Sequence, residues 1–297
     1  MGWVAWFNHD RINEAPGDIP PAHSVANHYR RVAPVETAGV NQRAPRRTRA
    51  VHVRATRNGW LGNMAVILTQ RAARRLLGDM LVIRIDPRMI RWHVGTKWPV
   101  SAMLEQRVKR VIPRPAERHA SLAIRKWHRR WHPFMLTDRS YPGLRELETT
   151  LTYRRVRDLI AHGEKPQDSL WYRELMELVE QGRSVRHKQH ILTTPYDVSA
   201  LFLEYLLPII ESMRLDGYLA HLAEPGAAMI GRDGTIHKAA SGNHRFAVAR
   251  ELQIPFVPVR IECIHRDWIR AQARGMSIRS ASAINTSIRA AVAANTS

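Results

Sequence analysis

Between Ala228 and Ile261 the chain reads AMIGRDGTIHKAASGNHRFAVARELQIPFVPVRI, and this stretch restricts the fold more than any other. Ala228–Ile230 and Thr235–His237 are short apolar runs on either side of Arg232, Asp233 and Gly234. An Asp-Gly pair between two such runs predicts a β-hairpin, with Asp233 making its turn. A glycine and three polar residues follow, Gly242, Asn243, His244 and Arg245, and then Phe246, Ala249 and Leu252 at helical spacing. The β-branched run IPFVPVRIEC resumes as a strand despite two prolines. Hairpin, polar turn, helix and strand in this order predict an α+β fold with a small mixed sheet.

The first turn of a helix has unpaired N–H groups at the positive end of its dipole, a ready site for an anion. Gly242 lets backbone approach closely, Asn243 and His244 can donate, and Arg245 offers a fork matched to two phosphate oxygens. By spacing alone an ordinary polar helix start is the plainer reading of the turn.

Upstream, TTPYDVSALFLEYLLPIIESMRLDGY places Val198, Leu201, Phe202, Tyr205, Leu206, Ile209, Ile210 and Met213 on one helical face, with Pro208 on the other. Thr194, Pro195 and Asp197 read as N-cap, first-turn proline and capping-box acid. SLWYRELMELVEQG is a second amphipathic helix, with Ser169 as N-cap and Trp171, Leu175, Leu178 and Val179 on its stripe. MAVILTQRAARRLLG predicts a short helix closed by Gly78, and MLVIRIDP a strand over 81–86 ended by Asp86 and Pro87. These signals divide the chain into a basic, poorly ordered leader over 1–60, a mainly helical basic region over 61–194, a mixed domain over 195–270, and a Ser/Ala-rich tail over 271–297 read as a weak helix or a frayed end.

The formal charge of +20 on 297 residues favours phosphates, nucleic acid or acidic surfaces as partners and says nothing of fold. From Leu81 to Arg139 fourteen Lys/Arg stand against four Asp/Glu, so a nucleic-acid partner would be met over 81–134. Within IRKWHRRWHPF, His128 and His132 are four apart, as are Trp127 and Trp131. The arginines between them and the lack of an acidic third ligand argue for a basic aromatic face and against a metal. One cysteine, Cys263, excludes an internal disulfide and reads as a buried strand residue. No apolar run reaches eighteen residues and the start lacks a basic and apolar leader, which is the pattern of a soluble, cytoplasmic protein without a membrane partner. No carboxylate cluster of the two-metal kind is visible, which argues against a nuclease.

The order of parts from Met229 to Ile261 resembles the central box of the ParB/sulfiredoxin superfamily, where a strand or hairpin leads into a Gly-x-x-Arg turn, a helix and an hP-hPV strand. The resemblance spans about Asp197 to Trp268, a quarter of the chain. LLPIIESMRLDGY is similar to the helix that precedes the box in ParB-type domains, and His265 with Trp268 is similar to a His-x-x-Trp ending found in some ParB-like proteins. In that superfamily the turn binds nucleotide phosphates: CTP in ParB, ATP in sulfiredoxin, ADP or ATP in free-serine kinases.

Carried onto this chain, the resemblance implies that Gly242, Asn243 and the following N–H groups hold phosphate while His244 and Arg245 pair its charge. His237 and Lys238 precede the turn and either reach a phosphate or are simply exposed, the two readings standing level; His265 could face the site from the last strand, with surface exposure its plainer reading. Asn243 stands where sulfiredoxins carry the catalytic cysteine, which argues against sulfinic-acid repair. His244 stands where ParB has arginine, and the chain after Trp268 is too short for the helix-turn-helix domain of partition proteins. The implied activity is a nucleotide-dependent phosphotransferase acting on a small hydroxylated substrate with Mg²⁺. Its base would be Asp197 or Glu211, with His244 as a further catalytic candidate. Asp197 also reads as the capping-box acid, and Glu211 as a solvated surface acid. A nucleic-acid-binding or nucleotide-switched regulatory protein is the alternative.

Overall fold

The computed structural model describes residues 68 to 295, apart from 112, 188, 189 and 221 to 223. The expectation for the leader over 1–60 lies outside the described residues, as do the side chains of Trp127 and His128. The fold is mixed α/β, as the order of sequence signals required. Among the described residues a seven-stranded mixed sheet carries the molecule, with a separate two-stranded hairpin.

Helix α1 (Gln70–Leu77) begins at Thr69, whose hydroxyl accepts from Ala72 N, and ends at Gly78, which takes φ +51°. Strand β1 (Val82–Ile85) follows and is stopped by Asp86 and Pro87. After β2 (Trp92–His93), helices α2 (Pro99–Val111) and α3 (Arg114–Trp131) form a helical hairpin. Two short strands, β3 (Met135–Leu136) and β4 (Arg145–Glu146), precede α4 (Leu151–His162) and α5 (Leu170–Glu180). Ser169 caps α5 through Tyr172 N, and Trp171, Leu175 and Val179 are its buried stripe.

The hairpin β5 (Val185–His187) and β6 (His190–Leu192) leads into α6 (Pro195–Ala200), opened by a complete Thr194–Asp197 capping box. A wider turn over Leu201–Leu206 joins α6 to α7 (Leu207–Asp216). There Leu207 N donates to Phe202 O, five residues back. That π-turn lies just before Pro208, which has no N–H and whose ring would strike the preceding turn in a tight α-helix. The apolar face therefore runs through the proline, with Val198, Leu201, Phe202, Leu206, Ile210 and Met213 all buried.

The hairpin β7 (Gly226–Ile230) and β8 (Ile236–Lys238), helix α8 (Asn243–Glu251) and strand β9 (Val257–His265) realise the predicted order. The sheet runs β1-β9-β7-β8-β2-β4, with β3 also on β9. β7 and β3 lie parallel to β9, and β1 lies antiparallel to it from Val82↔Arg260 to Ile85↔Val257. The region over 61–194, read as mainly helical with a first strand over 81–86, thus supplies four strands of the seven-stranded sheet and both strands of the separate hairpin among the described residues. Two-residue strands such as β2, β3 and β4 have no periodicity to read.

The Ser/Ala-rich segment is an integral part of the core. After α9 (Arg266–Gln272), helix α10 (Ala281–Ala294) buries Ala283, Ile284, Ile288 and Ala291. Trp268 Nε1 donates to Ser287 O at 2.9 Å, and Asn295 bonds Gly234 O and Ile236 N of the β7–β8 hairpin. The weak-helix reading was right in kind, and burial of small residues is what holds the segment in place. On the face carrying the Gly242 turn, Phe246, Ala247, Val248 and Ala249 of α8 pack with Val156 and Leu159 of α4 and with Phe202. Fully burying a side chain of this size contributes about 1.5–3 kcal/mol. Among the described residues no helix is long and apolar enough to cross a membrane.

Candidate functional site

Gly242 initiates α8 in the left-handed region, with φ +68° and ψ +20°. Its missing side chain matters twice: L-residues resist this conformation, and an added Cβ would sit 3.0 Å from Gly226 Cα. Ser241 before it also takes a positive φ, +136°, an uncommon conformation for a residue with a side chain. A glycine at the cap position offers no side chain to the first-turn amides, and no side-chain cap bond forms at this exposed residue.

The strained turn is held from beneath by Lys238, which is 0 % exposed. Its Nζ donates to Ala239 O and Ser241 O at 2.5 Å each, to Asn243 Oδ1 at 2.9 Å and to Ala227 O at 3.3 Å. Burial pushes the ammonium down to about 7, and the charge of Lys97 pushes in the same direction. Lys238 was expected to reach a phosphate; instead its protons are committed to the loop carbonyls, and it braces the turn from inside. Asn243 is likewise partly committed, its carbonyl oxygen to Lys238, leaving its amide nitrogen outside that bond.

Arg245 lies half-buried near Tyr218, whose phenol burial pushes up against the smaller opposing charge of Arg245. Among the described residues it makes no ion pair, whereas Arg74, Arg155 and Arg250 are each committed to a carboxylate. His244 stacks on Trp171, with rings 5.7 Å apart at 17°, and meets His187 edge-on at 5.3 Å. Its ring thus joins the turn to α5 and to the β5–β6 hairpin.

The proposed bases are engaged elsewhere. Asp197 Oδ2 accepts from Thr193 N and Thr194 N at 2.8 Å each and from Thr193 Oγ1 at 3.0 Å. The bonds from Thr193 and then Thr194 hold its carboxyl down at about 2, too acidic for an effective base near neutrality. Glu211, exposed on α7, pairs with Arg214 at 2.8 Å. Both residues therefore take the plainer of the two roles the sequence offered.

His265 is corrected too. Gly226, which Gly242 touches, is registered with Val259, and His265 is six residues further along β9. At ~3.3 Å per residue it lies about 20 Å from the turn, at the opposite end of the sheet. There it groups with Asp138 and Asp267, a set able in principle to ligate a cation. His265 Nδ1 accepts from Asp267 N at 3.3 Å, which places the ring proton on Nε2, 3.1 Å from Asp138 Oδ1. Arg232 reaches both acids, at 3.2 and 3.7 Å, and Arg270 pairs with Asp267 at 3.2 Å. The positive charge a metal would bring is already present as guanidinium. His237, also half of the sequence expectation, is buried there as a partner of Tyr141 Oη at 2.7 Å.

Residues the sequence did not single out complete the Gly242 site. β2 pairs with β8 at His93↔Lys238, bringing His93 and the loop after it against the turn. His93 Nδ1 accepts from Gly95 N at 2.9 Å, so its proton sits on Nε2. The buried ring lies against Asn243, whose side chain pairs with it and opposes the effect of burial, which holds the ring well below its ordinary value at about 4. Lys97 lies near enough for its charge to act on Lys238. No local pattern marks His93 or Lys97, because nearly 150 residues separate them from the turn. No family model, curated protein or solved structure matches this chain.

Proposed function

We propose that the Gly242 turn binds the phosphates of a nucleotide such as ATP, ADP or CTP. The observation that carries the reading is a left-handed glycine opening a nine-residue helix beside an arginine with no ion-pair partner among the described residues. A helix start of this kind presents amide donors and the positive dipole end, and Arg245 supplies a charged fork for a phosphate. Lys97 and the buried Lys238 add positive potential, and no carboxylate singled out in the sequence is engaged at the turn. The resemblance to the ParB/sulfiredoxin superfamily points the same way through its order of parts.

The reading extends to binding and no further: with Asp197 capping α6 and Glu211 paired on the surface, a phosphotransferase would need a base from elsewhere. Mg²⁺ would arrive with the nucleotide, coordinated by its phosphates. Isothermal titration of the full chain with ATP, ADP and CTP, with and without Mg²⁺, tests the reading. Saturable binding that falls at least tenfold in Arg245→Ala, and is unchanged in Asp197→Asn, is the expected result; no binding of any of the three would overturn it.

A second reading, a nucleic-acid partner, is favoured by one observation. Three tryptophans in the basic region each lie under a neighbouring cation: Trp92 under Arg91 at 5.0 Å, Trp98 under Lys97 at 4.7 Å and the exposed Trp131 under Arg130 at 6.0 Å. Aromatic faces flanked by cations suit stacked bases and their phosphates.

A further inference from the structure

We infer that the outer edge of β1 is a docking site for an extended peptide of alternating apolar and acidic residues, which adds to the sheet as a further antiparallel strand. The inference goes beyond the phosphate reading and is independent of it, since it uses no residue of the Gly242 turn.

β1 ends the sheet. Its one strand neighbour among the described residues is β9, paired antiparallel from Val82↔Arg260 to Ile85↔Val257. In such a ladder alternate residues turn their N–H and C=O toward the neighbour, and the residues between turn theirs away. Val82 N–H donates to Asp79 O in the preceding turn, so Val82 faces away from β9, and Arg84, two residues on, does the same. The register agrees, because Arg84 stands opposite Pro258, which has no N–H to give it. Arg84 is exposed, and among the described residues its backbone makes no hydrogen bond outside the ladder. An open strand edge of this kind is a template for another chain.

A groove of about 440 Å³ follows this edge, lined by Met80, Ile83 and Arg84 on one side and by Ile288, Arg289 and Val292 of α10 on the other. Ile83 and Arg84 are consecutive and point to opposite faces of the strand, so a groove lined by both runs along the edge itself. The Ile83 side is apolar; on the other face the Arg84 guanidinium lies over the Phe256 ring at 5.4 Å. No acid lines the groove, and among the described residues neither Arg84 nor Arg289, both exposed, makes an ion pair.

These properties select a partner chemistry. A peptide residue opposite Arg84 would exchange two backbone hydrogen bonds with it and set its own side chain on the Arg84 face, where a carboxylate meets the guanidinium. The residues before and after it turn to the other face, over Ile83, Ile288 and Val292, where apolar side chains are favoured. Apolar, acidic, apolar is the resulting pattern. A second copy of this chain fits poorly, because pairing two β1 strands about Arg84 sets like charges side by side on a chain that already carries +20. A polynucleotide would satisfy the arginines but has neither strand backbone nor apolar side chains.

The test uses the full chain and fluorescein-labelled peptides read by anisotropy. The probe is Ser-Thr-Val-Glu-Val-Thr-Ser, compared with one peptide carrying Lys for Glu and another N-methylated at Glu. Saturable binding of the probe is expected, weakened about tenfold or more by the lysine, and as much by the N-methyl group, which keeps every charge but removes the donor to Arg84 O. Arg84→Glu, at an exposed position, should reverse the preference toward the lysine peptide. Equal affinity for the N-methylated peptide would reduce the contact to charge attraction and overturn the strand addition, as would the lack of saturable binding up to roughly 1 mM. Amide exchange of the free ¹⁵N-labelled chain distinguishes other occupants. An Arg84 N–H protected at every concentration would mean that the chain's own residues cover the edge, and protection that grows with concentration would mean that a second copy does; either result overturns the proposal. So does a single-stranded oligonucleotide that displaces the probe and loses affinity in Arg84→Glu.

Discussion

At the scale of single residues, Gly242 and Lys238 show what local sequence reveals and what it hides. Gly242 was readable because the need for a positive φ and a close approach at a helix start is a local demand that glycine alone meets cheaply. Gly242→Ala is therefore expected to lose about 1–2 kcal/mol from the left-handed backbone alone, and more as the 3.0 Å contact with Gly226 is relieved. Gly78→Ala shares the positive φ but meets nothing within 4 Å, so urea midpoints should rank it as the milder change. Anion affinity should fall only in Gly242→Ala; equal midpoints, or unaltered affinity, would contradict the turn's assigned role. Lys238 looked like a phosphate ligand because lysines near a turn usually point to water. Its burial beneath the loop depends on where the carbonyls of Ala227, Ala239 and Ser241 converge, which spacing does not show.

Among the elements, the long helices were legible and the short strands were not. The stripes of α5 and the α6–α7 pair are repeated over several turns, so single ambiguous residues do not blur them. β2 acquires its identity only by pairing with β8 and β4. The basic hairpin of α2 and α3 is the element on which the nucleic-acid reading depends. Glu105 of α2 is committed to Arg125 at 2.7 Å, while Arg107, Arg110, Lys126 and Arg130 are exposed. If this element meets a polynucleotide, a fluorescent single-stranded oligonucleotide should bind with an affinity that falls steeply as salt rises. Replacing Arg107, Arg110, Lys126 and Arg130 by Ala should flatten that slope by up to ~0.7 per lost phosphate contact. Trp131→Ala should weaken binding by about 1–3 kcal/mol without altering the slope. Affinity indifferent to salt would remove the reading, and an effect of Arg245→Ala equal to that of the hairpin variant would move the contact to the turn.

Over the whole molecule, the sheet joins two ends with different polar chemistry: the Gly242 turn with His93, and the distant group of His237, Tyr141, His265 and Asp138. Burial holds His93 and His237 each at about 4, well below the ordinary 6.5. Between these values the unfolded chain binds protons that the folded chain does not. Stability is thus full above about pH 6.5 and is lost as pH falls toward 4, by on the order of 3 kcal/mol for each histidine. Calorimetric melting at pH 7, 5.5 and 4 should show this descent, and His93→Gln with His237→Gln should flatten it; a level profile in the wild type would show that these rings are not held neutral.

The sequence by itself determined the caps, the Asp-Gly hairpin, the glycine turn and the apolar stripes. Each depends on residues within a turn or two of one another, where steric and hydrogen-bonding preferences act without help from the rest of the chain. Only the tertiary structure decided that Lys238 braces the turn, that His265 lies at the far end of the sheet, that the Ser/Ala-rich segment closes the core, and that His93 faces Asn243. Those outcomes depend on strand pairing and burial between distant segments, and the physical properties they set, solvation above all, belong to a place in the fold and not to a residue type.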